Sequence, residues 1–375
     1  MSRLDQRFDT LDGMRGVAAI FVVAYHLMQR HGSTTFAGYL AVDFFFLLSG
    51  FVIAFSYHRQ LAEGLSPARF MAMRMVRLFP LYAAACVLGI GKQAIASALH
   101  DDRAMSAGVL MCSSLFGALM LPSPCTATMF PLNMPTWSLF FELAINVAFA
   151  VILWRLRLPV LAIVMAVAAV YLASRIAPPL YMDSGWLWTS APFGAARTAF
   201  SFIGGMLIYR VLPLHHRRAS WLAPLPLLGL IALLLMPTPV SLRPMVQLLI
   251  VFIAFPALLL AGICLEARPG VAGCFRLLGN LSYPLYALHA PLIALILPIL
   301  TQAGLSPLAS MAMFVVVMLP IAHGAAVADG RIRAWIGVRL KLRRGATRQP
   351  SAAEEAALPP IALLRPATIG EESSA

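Results

Sequence analysis

The stretch LDGMRGVAAIFVVAYH, Leu11 to His26, sets a cation and an imidazole into an otherwise apolar helix. Arg15 and His26 are eleven residues apart; eleven steps of about 100° return to within about 20° of one face, roughly 16 Å along the axis. Ionisable groups in hydrocarbon are costly and usually functional, although an arginine can snorkel to headgroups and a histidine can simply bond a neighbouring helix. Two carboxylates lie at depths that suit the imidazole. They are Asp43 in AVDFFFLLSGFVIA and, somewhat deeper, Glu142 in MPTWSLFFELAI, where Trp137 marks the outer interface. Histidine beside a carboxylate is general-base chemistry: the carboxylate fixes the tautomer, and the imidazole takes a proton from an attacking hydroxyl. The proton relay of a transporter draws on the same groups. At the other end, FMAMRMVRLFPLY puts Arg74 and Arg77 one turn apart just inside a segment, with Pro80 kinking or opening the helix. Two adjacent guanidiniums suit a phosphate or pyrophosphate; the plainer alternative is charge anchoring at the cytoplasmic face. Phosphates inside, a base towards the outside and a stripe between them describe an enzyme that moves an activated group across a membrane.

The elements that position these groups are membrane helices. The chain has 375 residues, 61% of them hydrophobic and 11% charged, with a mean hydropathy of +0.83, and no aqueous fold hides that much apolar surface. A net charge of +13 would point to nucleic acid in a soluble protein, but here Lys and Arg cluster in short segments between apolar runs, which reports orientation instead. Runs long enough to cross about 30 Å of hydrocarbon, roughly 20 residues each, fall at about 14–30, 36–57, 70–91, 134–154, 158–175, 193–212, 221–236, 244–265, 281–300 and 306–327. An eleventh run, 104–121, is excluded by charge. If it spanned, Arg155, Arg157 and the RVLPLHHRR cluster would face the side opposite YHRQLAEGLSPARF. Without it, only Arg30, Lys92, Arg103, Arg175 and Arg243 lie outside, and Arg15 and Arg197 lie within segments.

We therefore expect an all-α polytopic membrane protein with ten transmembrane helices and both termini cytoplasmic. The long external loop 92–134 carries 104–121 as a re-entrant or interfacial element. Residues 1–330 form the transmembrane domain, and 331–375 form a basic, then disordered, cytoplasmic tail. The N-terminus reads as uncleaved. Cys112 and Cys125 lie in the external loop, where a disulfide would persist, but spacing alone does not pair them. No metal-ligand spacing occurs, and no bound cofactor is expected.

The combination of motifs resembles the integral-membrane acyltransferase family 3, whose members O-acylate sugars and other acceptors. The likeness rests on LDGMRGVAAIFVVAYH, VDFFFLLSGFVIA, MRMVRLFPLY, PTWSLFFELAI and LGNLSYPLYALHAPLI, in the family's order over about 1–330. It implies a multi-pass protein of the inner (cytoplasmic) membrane that takes an acyl group, acetyl being the expected one, from cytoplasmic acyl-coenzyme A as co-substrate. The acceptor would be a hydroxyl of a glycan or lipid-linked sugar presented outside. Arg15 and His26 match the first-helix motif, Arg74 and Arg77 the basic donor motif, and Glu142 the acidic position after Trp-Ser; Phe140 and Phe141 stand where many members carry a polar or acidic pair. The catalytic set is then His26 as base with Arg15, Asp43 and Glu142, and the donor-binding pair is Arg74 and Arg77. Trp137, Arg197, Tyr286 and His289 are candidate acceptor-site or structural residues. The alternative is a proton-coupled secondary transporter built on His26, Asp43 and Glu142.

Overall fold

A computed structural model describes residues 7–340, apart from 31, 33–35, 103, 178–179 and 213–217. The tail beyond 340 and His215 and His216 lie outside the described residues. Helix dominates: α1 (Asp9–Arg30), α2 (Ala41–Ala62), α3 (Pro67–Ala98), α4 (Ala107–Ala118), α5 (Thr136–Val151), α6 (Leu158–Arg175) and α7 (Ala191–Val211) are followed by α8 (Pro224–Leu235), α9 (Arg243–Leu249), α10 (Phe255–Cys264), α11 (Pro269–Gln302) and α12 (Pro307–Arg339). A π-helical turn, Ile250–Ala254, joins α9 to α10 into one rod. Seven of these rods are long and apolar enough to cross a bilayer, and the chain is an all-α membrane protein in class. Each predicted segment falls on a helix, but α5 and α8 are short, and α7, which carries Arg197, is not among those seven.

The run 104–121 becomes α4, whose 12 residues extend about 18 Å, well short of the hydrocarbon thickness. Cys112 on this helix is disulfide-bonded to Cys125 in the following loop, a linkage that belongs in an oxidising compartment. A membrane-impermeant thiol reagent applied to intact cells is therefore expected to label Cys112 and Cys125 only after mild reduction, and to leave Cys274 untouched. Labelling of Cys274 without permeabilisation would place the loop on the other side. At the far end, α12 runs to Arg339, so the first part of the basic sequence after 330 is helical.

Two features depart from a purely helical reading. Strands β1 (Arg218–Ser220) and β2 (Leu265–Ala267) pair in parallel, Ala219 opposite Glu266. Their role is local: Glu266 Oε1 accepts from the backbone N–H groups of Asp9 and Thr10 at 2.8 and 3.3 Å, and Thr10 Oγ1 donates to the Leu265 carbonyl. A carboxylate thus satisfies the orphan donors at the start of α1, where the helix dipole also favours negative charge. The second feature is α11, a helix of 34 residues with Pro284, Pro291 and Pro298 inside it. Proline lacks the N–H that would bond the carbonyl four residues back. For Pro291 that carbonyl is Ala287, which instead accepts from Asn133 Nδ2 at 3.0 Å.

The most extensive helix pair is α1 with α11, which run parallel. Glycine makes the approach close: a Cβ on Gly16 would lie 2.6 Å from the Leu278 carbonyl oxygen, and one on Gly279 would lie 2.6 Å from Asp12 Cβ. The same device joins α2 to α7, with Gly50 against the Phe202 carbonyl and Gly205 against that of Leu47, as small-residue packing in membranes requires.

Candidate active site

Three polar centres lie along these helices, and only the middle one is built from histidines. On the side of the α1 N-terminus, Arg15 is tied to α11: Nε donates to Ser282 Oγ and Nη2 to the Gly279 carbonyl, both at 2.9 Å, and Nη2 also meets Asp12 Oδ1 at 2.9 Å. Beside it, Arg74 Nη2 bonds Glu142 Oε1 at 2.6 Å, and the same oxygen accepts from Ser49 Oγ at 3.1 Å. Arg77 is exposed. Arg15 is thus paired with Asp12 and Arg74 with Glu142, with Arg15 in electrostatic reach of both Arg77 and Glu142.

This changes the expected pairing of Arg74 with Arg77. They share a helix turn, but Arg74 is 7% exposed and committed to Glu142, whereas Arg77 faces out. Burial is the reason: an enclosed guanidinium needs a counter-charge, and α5 supplies it. Arg74 Nε nevertheless has no hydrogen-bond partner among the described residues.

The second centre is an ion pair enclosed between α2 and α7. Arg197 Nε and Nη2 bond Asp43 Oδ1 and Oδ2 at 3.0 and 2.6 Å, and Nη1 donates to the Ser184 carbonyl at 2.6 Å. The two residues are 0% and 1% exposed. Trp137 is buried within the protein, with the Arg197 guanidinium 5.1 Å from its ring centre. A guanidinium over an indole face is favourable once water is excluded.

In the middle, His26 is half-buried and His289 fully enclosed. His26 Nδ1 lies 2.8 Å from the Val22 carbonyl and 3.3 Å from His289 Nε2. His289 Nδ1 lies 2.7 Å from the Tyr286 carbonyl and 3.1 Å from that of Leu285. Tyr286 in turn donates to the Pro135 carbonyl at 3.0 Å and is hydrogen-bonded to Ser138 at the start of α5. The carboxylates expected beside His26 are bound elsewhere, Asp43 to Arg197 and Glu142 to Arg74. The polar partner that the fold brings to His26 is His289.

Of the residues singled out in the sequence, Arg15 and His26 thus meet α11, Arg74 meets Glu142, Arg197 meets Asp43 and Trp137, and Tyr286 ties α11 to α5. Sequence reasoning missed the His26–His289 contact. A signal for it exists: Ser282 and His289 are seven residues apart, about two turns, and so form a stripe on α11 facing the stripe on α1.

The chain is 40% identical over 180 residues to "Protein 2 in picA locus" of Rhizobium radiobacter, covering 44% of this chain and 93% of the relative. It is 26% identical over 300 residues to "Exopolysaccharide production protein ExoZ" of Rhizobium meliloti (strain 1021), covering 75% and 84%. No solved structure matches. The acyltransferase domain of family 3 matches residues 8–326, a span that takes in all three polar centres and every helix up to α12, and the chain belongs to that acyltransferase family.

Proposed function

We propose that this protein transfers an acyl group, acetyl in the simplest case, from cytoplasmic acyl-coenzyme A to a hydroxyl of an envelope glycan or its lipid-linked precursor on the far side of the inner membrane. His26 is the general base. The observation that carries this reading is the α1–α11 stripe: an arginine cluster at one end and, about 16 Å along, an imidazole whose Nδ1 is held against the Val22 carbonyl. With Nδ1 carrying the proton, Nε2 keeps its lone pair and is free to take a proton from an acceptor hydroxyl. ExoZ, an exopolysaccharide production protein by name, supports a polysaccharide acceptor. Ten crossings with both termini cytoplasmic fit the charge pattern and put the arginine cluster where acyl-coenzyme A is found. A proton-coupled transporter gains no support, because Asp43 and Glu142 are each held in an ion pair.

In this reading Arg77 is the exposed cation that meets the donor phosphates, with the free Nε of Arg74 and the half-buried Arg15 beside it. Glu142 holds Arg74 in place. The test is transfer from labelled acetyl-coenzyme A to membrane glycan by purified protein in liposomes. Thioester consumption that depends on acceptor is expected; transport of an acidic metabolite without it would overturn the reading. In the same assay Arg77→Ala is expected to raise the KM for acyl-coenzyme A about 10- to 100-fold, the scale of one lost charge-assisted hydrogen bond, with acceptor KM unchanged. Arg77→Lys rescues little if the contact is bidentate. An unchanged donor KM in both variants would reduce Arg77 to a topology anchor.

A further inference from the structure

We infer that His289 is a positioning residue for His26: it takes the place that a carboxylate occupies in other histidine-based catalytic sites. The inference rests on the reading of His26 as base and goes beyond it, because the protons at all four ring nitrogens follow from their neighbours. A backbone carbonyl only accepts. His289 Nδ1, at 2.7 Å from the Tyr286 carbonyl, therefore carries a proton, and in the neutral ring Nε2 is left as an acceptor. His26 Nδ1, at 2.8 Å from the Val22 carbonyl, carries a proton too and lies 3.3 Å from His289 Nε2, which in this tautomer is the acceptor of the pair. The proton sequence is Nδ1–H of His26 to Nε2 of His289, then Nδ1–H of His289 to the Tyr286 carbonyl.

The consequence appears when His26 Nε2 accepts the proton of the attacking hydroxyl. The imidazole becomes an imidazolium, and its Nδ1–H bond to His289 becomes charge-assisted, roughly doubling in strength. The Val22 carbonyl, with two lone pairs, shares this proton with His289. No carboxylate is at hand, for Asp43 and Glu142 face arginines. His289 is thus the neutral acceptor that steadies the charged base. Its own orientation is set by the α11 backbone, and α11 is held by the Tyr286–Ser138 contact with α5 and by the Asn133 bond to the Ala287 carbonyl.

The test combines a spectroscopic and a kinetic readout on the full chain. The protein is purified with nitrogen-15 in its histidines and observed by solid-state NMR in lipid; the His26 resonance is the one that His26→Ala removes. Wild type is expected to show a protonated Nδ1 and an unprotonated Nε2 for His26, with the Nδ1 shift moved in His289→Leu. In the transfer assay His289→Leu is expected to lower kcat about 10- to 100-fold, the scale of one hydrogen bond to a charged group, while both KM values stay near wild type. His289→Gln keeps an acceptor oxygen at the same reach and is expected to restore most of the rate. Wild-type kcat and an unmoved Nδ1 shift in His289→Leu would overturn the inference. So would equal losses in the Leu and Gln variants, which would mean that packing alone is at stake. If His26→Ala itself retains turnover, the base assignment falls, and the NMR result still decides whether the two rings share the proton.

Discussion

His26→Ala is expected to abolish acyl transfer while leaving the protein folded and inserted. Loss of a positioned base typically costs 10²- to 10⁴-fold in rate, and nothing in the surroundings replaces it. The side chain is only half-buried, and its polar contacts are Val22 and His289, so its removal breaks no ion pair and leaves no charge stranded. The measurement is acceptor-dependent thioester consumption at matched membrane abundance. Turnover near wild type would remove His26 from the mechanism, and with it the meaning of the stripe that leads there from Arg15.

Arg197→Ala is expected to have the largest effect on stability. Asp43 and Arg197 are fully enclosed, and both carboxylate oxygens are used. Removing the cation leaves an unpaired buried carboxylate, a defect of about 3–5 kcal/mol. It also removes the partner of the Ser184 carbonyl and the cation over Trp137. Thermal unfolding of the purified protein in detergent is expected to drop sharply for Arg197→Ala and for Asp43→Ala. The double variant Asp43→Leu with Arg197→Met is expected to recover much of the loss, since a well-packed apolar pair often substitutes for a buried ion pair. If that double variant also transfers acyl groups, Asp43 acts through the fold; if it is stable and inactive, Asp43 belongs to the chemistry. Single variants as stable as wild type would contradict the enclosure of the pair.

Class and helix placement were legible because hydropathy is a local property: a run such as Ala41–Ala62 declares itself without reference to any other segment. The stripe from Arg15 to His26 was legible for the same reason, since helical periodicity alone puts both on one face. Partner choice was not. Whether Glu142 faces His26 or Arg74 depends on how α5 is rotated against α3, and that is decided by packing and by the Tyr286–Ser138 contact, neither of which sequence spacing encodes. Glu142 and Arg74 are 68 positions apart and His26 and His289 263, so no local pattern relates them. Charge set 104–121 apart from the spans, though not its length as a helix, whereas the small β1–β2 pairing left no trace in composition, its six residues being few and unremarkable in type.

The close seating of α1 on α11 bears on how such a molecule could work. The helices leave no room for a Cβ at Gly16, against the Leu278 carbonyl, or at Gly279, against the Asp12 side chain; Arg15 is stitched to Ser282 and to a backbone carbonyl, and the head of α1 is pinned by Glu266. Two rods joined this tightly behave as a single beam. A rocking cycle, of the sort that exposes one chamber first to one side and then to the other, would need such a beam to split or slide. Sliding is opposed at Gly16, where the Leu278 carbonyl already sits against the α1 backbone, and by the Arg15 bonds to α11. If the two ends of the beam keep a fixed separation through a turnover, the travelling part is the cargo. A long, flexible donor arm reaching in from one face and a hydroxyl arriving from the other would meet at a stationary point, and the speed of the cycle would then be governed by entry and exit rather than by a conformational stroke.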